Sequence, residues 1–219
     1  MKHTHTLGAL VITTGMACAH HDDVHQPGYA MEFSDVERFA KAFDDPRRDE
    51  WQRPDDVIAA LHLRPDADVL DLGSGTGYFT VRLARKLPQG HVYGGDVEPR
   101  MTSYLEARAK NEGLANVRAL TFPPGEVKLD QPVDAVLVVD TYHHIDDRAT
   151  YFQKVRAHLK PTGIVAIVDF KLDSPMGPPI EHRVSTDAVR AEMSAAGYVQ
   201  DAALDLPYQY VLVFRAAPR

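Results

Sequence analysis

Apolar residues along this chain recur at two periods, and the alternation between them predicts its elements. Phe33, Val36, Phe39, Ala40 and Phe43 share the spacing of one helical face, and Asp44-Asp45-Pro46 ends the run. A short helix over 54–61 follows, with Pro54 suited to its first turn. From residue 69 onward short apolar runs alternate with amphipathic ones. Strands are expected to end at Leu72 and Asp96 and to cover 116–121, 133–139 and 164–168, with helices over 78–87, 101–112 and 148–159. Gly113 closes one of these helices and Pro161-Thr162-Gly163 another, while 164–168 is apolar throughout, as a central parallel strand should be. The last third predicts a helix over 186–196 and two closely spaced strands, 198–204 and 208–214, which should pair antiparallel. The pattern describes an α/β fold: a doubly wound, mostly parallel, seven-stranded sheet with helices on both faces and an antiparallel C-terminal hairpin strand.

Composition narrows the function classes. The 219 residues, 44% hydrophobic and 25% charged, support one domain with a full core. The net charge of −7 and the lack of a Lys/Arg run argue against a nucleic-acid partner. Residues 1–30 differ from the rest. Lys2 precedes an apolar run over 7–17, then Cys18-Ala19, then a polar stretch rich in His and Asp. The run is too short to span a bilayer, and Ala17 and Ala19 supply the small residues of an export signal cut after Ala19. A lipid-anchored variant would be cut before Cys18 instead, although Gly15 is a poor fit three positions ahead of that cysteine. The expected organisation is a signal peptide over 1–19, a linker over 20–30, N-terminal helices over 31–62 and a ligand-binding domain over 63–219, exported to the periplasm or cell envelope. A start near Met31 would make the protein cytoplasmic. Cys18 is the only cysteine, so the folded domain has neither disulfide nor thiol chemistry. His3, His5, His20, His21 and His25 lack the spacing of a closed metal site, and no metal is expected.

The most informative segment is Val69-Leu70-Asp71-Leu72-Gly73-Ser74-Gly75-Thr76-Gly77, a buried strand running into three alternate glycines and then a helix. Without a Cβ at Gly73, Gly75 and Gly77 the chain can turn sharply and let a ligand lie against its backbone. Asp71 stands at the strand end, where its carboxylate can face an ammonium group or accept the loop's own amides. About 20 residues on, a second strand ends in Asp96, a position from which a carboxylate accepts both hydroxyls of a ribose. The dinucleotide fingerprint is G-x-G-x-x-G, whereas this loop reads G-x-G-x-G, which leaves a nicotinamide-dependent oxidoreductase as the weaker alternative.

At this point the sequence resembles the class I S-adenosylmethionine-dependent methyltransferases, whose first motif is acid-x-G-x-G-x-G and whose second ends in the ribose-binding acid. The resemblance covers roughly 57–215, with 133–140 similar to the family's fourth strand and 159–169 to the turn and strand after its next helix. Residues 48–54 and 140–147 look more narrowly like an exported bacterial group of unknown substrate. The resemblance implies S-adenosylmethionine as cofactor, held by Asp71, Gly73, Ser74, Gly75, Gly77, Asp96 and Val97, with Glu126 after strand three and Asp140 after strand four. It places the methyl acceptor against Thr141-Tyr142-His143-His144, where His143 and His144 are candidate bases because imidazole titrates near neutral pH, with Tyr142 beside them. Asp169 completes a set of four acids at four strand ends, Trp51-Gln52 and 181–183 can cover the cleft, and Arg183 can hold an acidic group. The expected activity is methyl transfer to a small molecule, since little chain outside the fold is left to shape a larger site. A protein that keeps the cradle and binds cofactor without turnover is the alternative.

Overall fold

A computed structural model describes residues 36–217; the expected export signal and linker and the N-terminal histidines lie outside them. Helices α1 (Val36–Phe43), α2 (Arg48–Gln52) and α3 (Pro54–Ala60) precede strand β1 (Val69–Leu72). Then come α4 (Thr80–Lys86), β2 (Val92–Asp96), α5 (Pro99–Asn111), β3 (Val117–Thr121), β4 (Val133–Val139), α6 (Arg148–Val155), β5 (Leu159–Phe170), α7 (Thr186–Ala195), β6 (Tyr198–Asp205) and β7 (Gln209–Ala216). The seven strands form one sheet in the order β3-β2-β1-β4-β5-β7-β6. β1 to β5 run parallel, and β7 is antiparallel to both β5 and β6.

The period of two sorts each central strand between two cores. From β4, Ala135, Leu137 and Val139 face a layer with α3, α4 and α5, while Val136 and Val138 face a second layer with α6 and α7. Both layers are fully buried, so the strands read as continuous apolar runs. α3 belongs to the first core through Val57, Ile58 and Leu61, so the N-terminal helices are part of the domain's packing.

The largest departures from expectation are the end of α6 and the segment before α3. The helix predicted over 148–159 stops at Val155, passes through a 3₁₀ turn over Arg156–His158, and β5 takes over at Leu159. Leu159 pairs with Val133, and a register shift between Val133 and Ala135 lets Lys160-Pro161-Thr162-Gly163 bulge from the ladder, where Pro161 has no N–H to lose. Residues 48–52, whose Trp51-Gln52 are expected to cover the cleft, form α2. Strand order reverses between β1 and β4, so the loops after them part and leave a crevice at their carboxyl ends.

Candidate cofactor and acceptor site

The loop after β1 is set by its backbone. Gly73 has φ +76, and a Cβ there would overlap the Thr141 side chain. Its N–H and that of Ser74 donate to Gly95 O at 2.8 and 3.1 Å, so the loop is anchored on β2. Gly75 has φ +52, and the Phe43 ring of α1 stands 3.4 Å from where its Cβ would be. The N–H of Gly75 donates to Asp96 Oδ2 at 2.8 Å, and Glu98 N–H donates to Asp96 Oδ1 at 3.0 Å. Burial pushes the Asp96 carboxyl up, the amides of Glu98, Gly75 and Val97 oppose this, and the charge of Glu98 adds to it. Val97 follows with 56% of its surface exposed, an apolar face beside the acid. The hydroxyls of Ser74 and Thr76 are buried without hydrogen-bond partners among the described residues. Leaving such a group unpaired costs about 1–3 kcal/mol, so the loop retains capacity for a polar ligand or water.

Across the crevice, β4, β5 and β7 present a network of side chains. The ring Nδ1 of His143 lies 2.9 Å from both oxygens of Asp169. Asp169 is fully buried and also accepts the N–H of His143 at 3.2 Å and of Phe170 at 2.8 Å. A carboxylate so used can only accept, so Nδ1 carries the proton and Nε2 of His143 is the basic nitrogen. His144 lies with its ring 4.1 Å from that of His143. Burial, aided by the neighbouring charges of His143 and His182 and opposed by Asp169, pushes His144 down to about 4.

Beside this pair, Asp140 sits in the left-handed region at φ +52. It accepts from Arg48 Nη2 at 3.1 Å, from Gln52 Nε2 at 3.2 Å and from Gln209 Nε2. Gln52 also donates to Gln209 Oε1 at 2.9 Å, and both glutamines are fully buried. Burial raises the Asp140 carboxyl, the Arg48 charge and Gln52 lower it, and Asp169 adds to the rise. α2 is thereby fixed over the carboxyl ends of β4 and β5. Tyr78 O–H donates to Asp49, Arg82 bridges to Asp49 at 2.9 Å, and the Arg48 guanidinium lies 4.2 Å from the centre of the Tyr78 ring.

A glycine-rich loop after β1, an acid at the end of β2 and a histidine–carboxylate pair at the ends of β4 and β5 stand at the carboxyl ends of the strands. Comparison with known proteins decides the family, because a methyltransferase-domain family matches residues 63–202. The chain belongs to that family. Its class of enzyme uses S-adenosylmethionine as cofactor. The solved structure of an S-adenosylmethionine-dependent methyltransferase from Aquifex aeolicus is 26% identical, with a TM-score of 0.76 over 84% of this chain and 98% of that one. Trans-aconitate 2-methyltransferase of Deinococcus radiodurans is 32% identical over 51% of this chain, and malonyl-[acyl-carrier protein] O-methyltransferase of Acetivibrio thermocellus 30% identical over 64%. The chain spans 41% and 48% of those two relatives.

The residues fit the methyltransferase cofactor. The outer face of Gly75 is open except for Phe43, the Asp96 carboxylate lies against it, and Val97 offers an apolar surface one residue on. Other expected ligands are placed differently. Asp71 is buried and bonds the Thr80 hydroxyl at 2.6 Å rather than a loop amide; burial raises it to about 6, with Asp96 adding to the rise. It ties β1 to the first residue of α4. Asp140 is taken up by α2 and Gln209 and caps no helix. Glu126 is exposed in the turn after β3. Phe122 meets β2 in its place, through an N–H bond of 2.9 Å to Asp96 O and a ring that occupies the space a Cβ on Gly95 would need.

Tyr142 is corrected most plainly. Its ring is fully buried, stacks on Phe152, and its O–H donates to Glu192 of α7 at 2.7 Å, where Arg148 also binds. It is a packing residue of the second core and not an acid or base. Arg183 likewise holds no acidic group: it donates to the carbonyls of Pro178, Lys171, Leu172, Ser174 and Met176 at 2.7–3.2 Å and so sets the shape of residues 171–178. Gln209 escaped notice because it opens an otherwise apolar strand. The spacing of Arg48 and Gln52, one helical turn apart, is the signal that α2 carried.

Proposed function

We propose that this protein transfers the methyl group of S-adenosylmethionine to a small-molecule acceptor, with His143 as the base. The His143–Asp169 pair carries the reading. It places a fixed, basic Nε2 at the carboxyl end of β4, one strand away from the cradle. The bound cofactor supplies a methyl group already activated on a sulfonium. The protein's part is alignment, exclusion of water and a place for the proton. Asp96 would hold the ribose hydroxyls, Gly73 to Gly77 would lie along the nucleoside, and Val97 would flank the base. Asp169 fixes the tautomer and orientation of His143, and a positioned base of this kind contributes about 10²–10⁴-fold. Among the described residues the cleft is bordered chiefly by α2 and residues 171–183, which suits a small acceptor.

Titration calorimetry of S-adenosylmethionine into the wild type and Asp96→Ala tests the cofactor half. Loss of about 1.5–3 kcal/mol of binding in the mutant is expected, the range for hydrogen bonds to a charged group. Unchanged affinity in a folded mutant would remove Asp96 from the ribose site. Binding with no S-adenosylhomocysteine formed across a broad acceptor panel would favour the binding-only reading. Export to the cell envelope, with cleavage after Ala19 or lipidation at Cys18, is part of the proposal; the mass of the protein recovered from cell fractions decides it, and an intact cytoplasmic chain would refute it.

A further inference from the structure

Resting on the methyltransferase reading, we propose that the acceptor is an uncharged, apolar phenol and not a carboxylic acid. Three observations converge on this. The first is an aromatic wall beside the base. Asp169, which holds His143, is followed by Phe170, and the Trp51 ring lies 5.8 Å from Phe170 and 6.3 Å from Tyr208. Gly177, at φ +104, closes on the Phe170 ring, where any side chain would overlap it. Trp51 and Tyr208 remain partly exposed.

The second observation concerns the rim. Leu172, Met176 and Ile180 are 46%, 38% and 65% exposed, three of the few large apolar residues on the described surface. Leu172 and Met176 lie on the segment that Arg183 shapes through five carbonyls, and the backbone N–H of Arg183 donates to Ile180 O at 3.1 Å, so all three are held in place. The same segment meets the base's surroundings through Gly177, which packs on the Phe170 ring next to Asp169. Apolar side chains fixed open to water next to a catalytic cleft suit a ligand that covers them.

The third is the state of the nearby cations. Arg48 is bound to Asp140, Gln52 and Phe43 O. Lys171 is bound to Leu206 O at 2.6 Å and Asp205 at 2.8 Å, and Arg183 to carbonyls alone. None of the three is placed to receive an anion, whereas Asp140 and Asp169 would repel one. A neutral hydroxyl is thus preferred, and a phenol is the hydroxyl whose acidity a histidine can match. The phenolic oxygen bonds the methyl carbon, the S–C bond breaks with its electron pair remaining on sulfur, and the O–H proton passes to Nε2 of His143. The products are an aryl methyl ether, S-adenosylhomocysteine and one proton.

The test is formation of S-adenosylhomocysteine by the full chain with 4-ethyl-, 4-butyl- and 4-hexylphenol, and with the 4-alkylbenzoates of equal length. The phenols are expected to turn over, with KM falling about threefold per added CH₂, and the benzoates to be inert. Ile180→Asp, a substitution at an exposed position, is expected to raise KM for 4-hexylphenol severalfold while kcat and S-adenosylmethionine affinity stay as in the wild type. Benzoates methylated as well as phenols, or phenols left unmethylated by protein that binds S-adenosylmethionine in calorimetry, would overturn the proposal and leave the methyltransferase reading standing. Absence of S-adenosylmethionine binding would instead overturn both.

Discussion

The two halves of the crevice are built by different means. The cofactor half, β1 to β2, is assembled from residues 71–97 and depends on backbone: positive φ at Gly73 and Gly75, and amides donated to Gly95 and Asp96. The acceptor half joins α2, the end of β4, the end of β5 and the start of β7 through the side chains of Arg48, Gln52, Asp140, His143, Asp169 and Gln209. A backbone cradle tolerates no Cβ but suits one common ligand. A side-chain network can be rebuilt residue by residue, which is how one fold serves many acceptors.

Removing the base should separate the halves most strongly. His143→Ala and Asp169→Asn are each expected to lower kcat about 10²–10⁴-fold with S-adenosylmethionine affinity retained. Loss of cofactor binding alongside activity, measured by calorimetry on folded protein, would show that the halves are not independent. The reciprocal change is Gly73→Val, which forces a branched side chain into φ +76 and into Thr141. About 3 kcal/mol of stability should be lost in urea unfolding. A fully stable variant would mean that Thr141 does not pack on the loop as described.

Acid should act on the two halves with opposite sign. Asp71 is raised by burial to about 6 against an ordinary 3.8, so its contribution to stability is complete below pH 4 and lost as pH rises through 6. Asp71→Asn should therefore stabilise by on the order of 3 kcal/mol at pH 8 and by nothing below pH 4. His144 is lowered to about 4 against 6.5, so its contribution is present above pH 6.5 and lost as pH falls through 4. His144→Gln should flatten that acid limb by about 1 kcal/mol. Urea midpoints from pH 3.5 to 8 check both, and slopes of the same sign would contradict the assignment. The smallest effect belongs to Tyr142→Phe, which removes one hydrogen bond to Glu192: about 1 kcal/mol of stability should go while kcat is unchanged. A fall in kcat beyond the loss of folded protein would return Tyr142 to the site.

How legible each half was in the sequence follows the same division. The glycine-rich turn after β1, the alternation of strands and helices and the antiparallel C-terminal pair were all readable, because each depends on neighbours in the chain. His143 is found by its position after β4, but the sequence does not say whether Asp140 or Asp169 is its partner. Both end apolar strands, and only the packing of β5 against β4 shows which one the imidazole meets. Tyr142 was misread for the related reason that consecutive residues in a 3₁₀ turn point to different sides, one into the α7 core and the next into the cleft.

The sequence by itself determined the layers of the sheet and the family's cofactor loop, since hydrophobic period and glycine spacing are local properties. Only the tertiary structure decided the acceptor side. Gln52 and Gln209 are 157 residues apart, and Arg48 and Asp140 are separated by 92. Their contacts exist because strand pairing brings β4, β5 and β7 under α2. The polar groups must then satisfy one another once water is excluded, a constraint that no stretch of chain records alone.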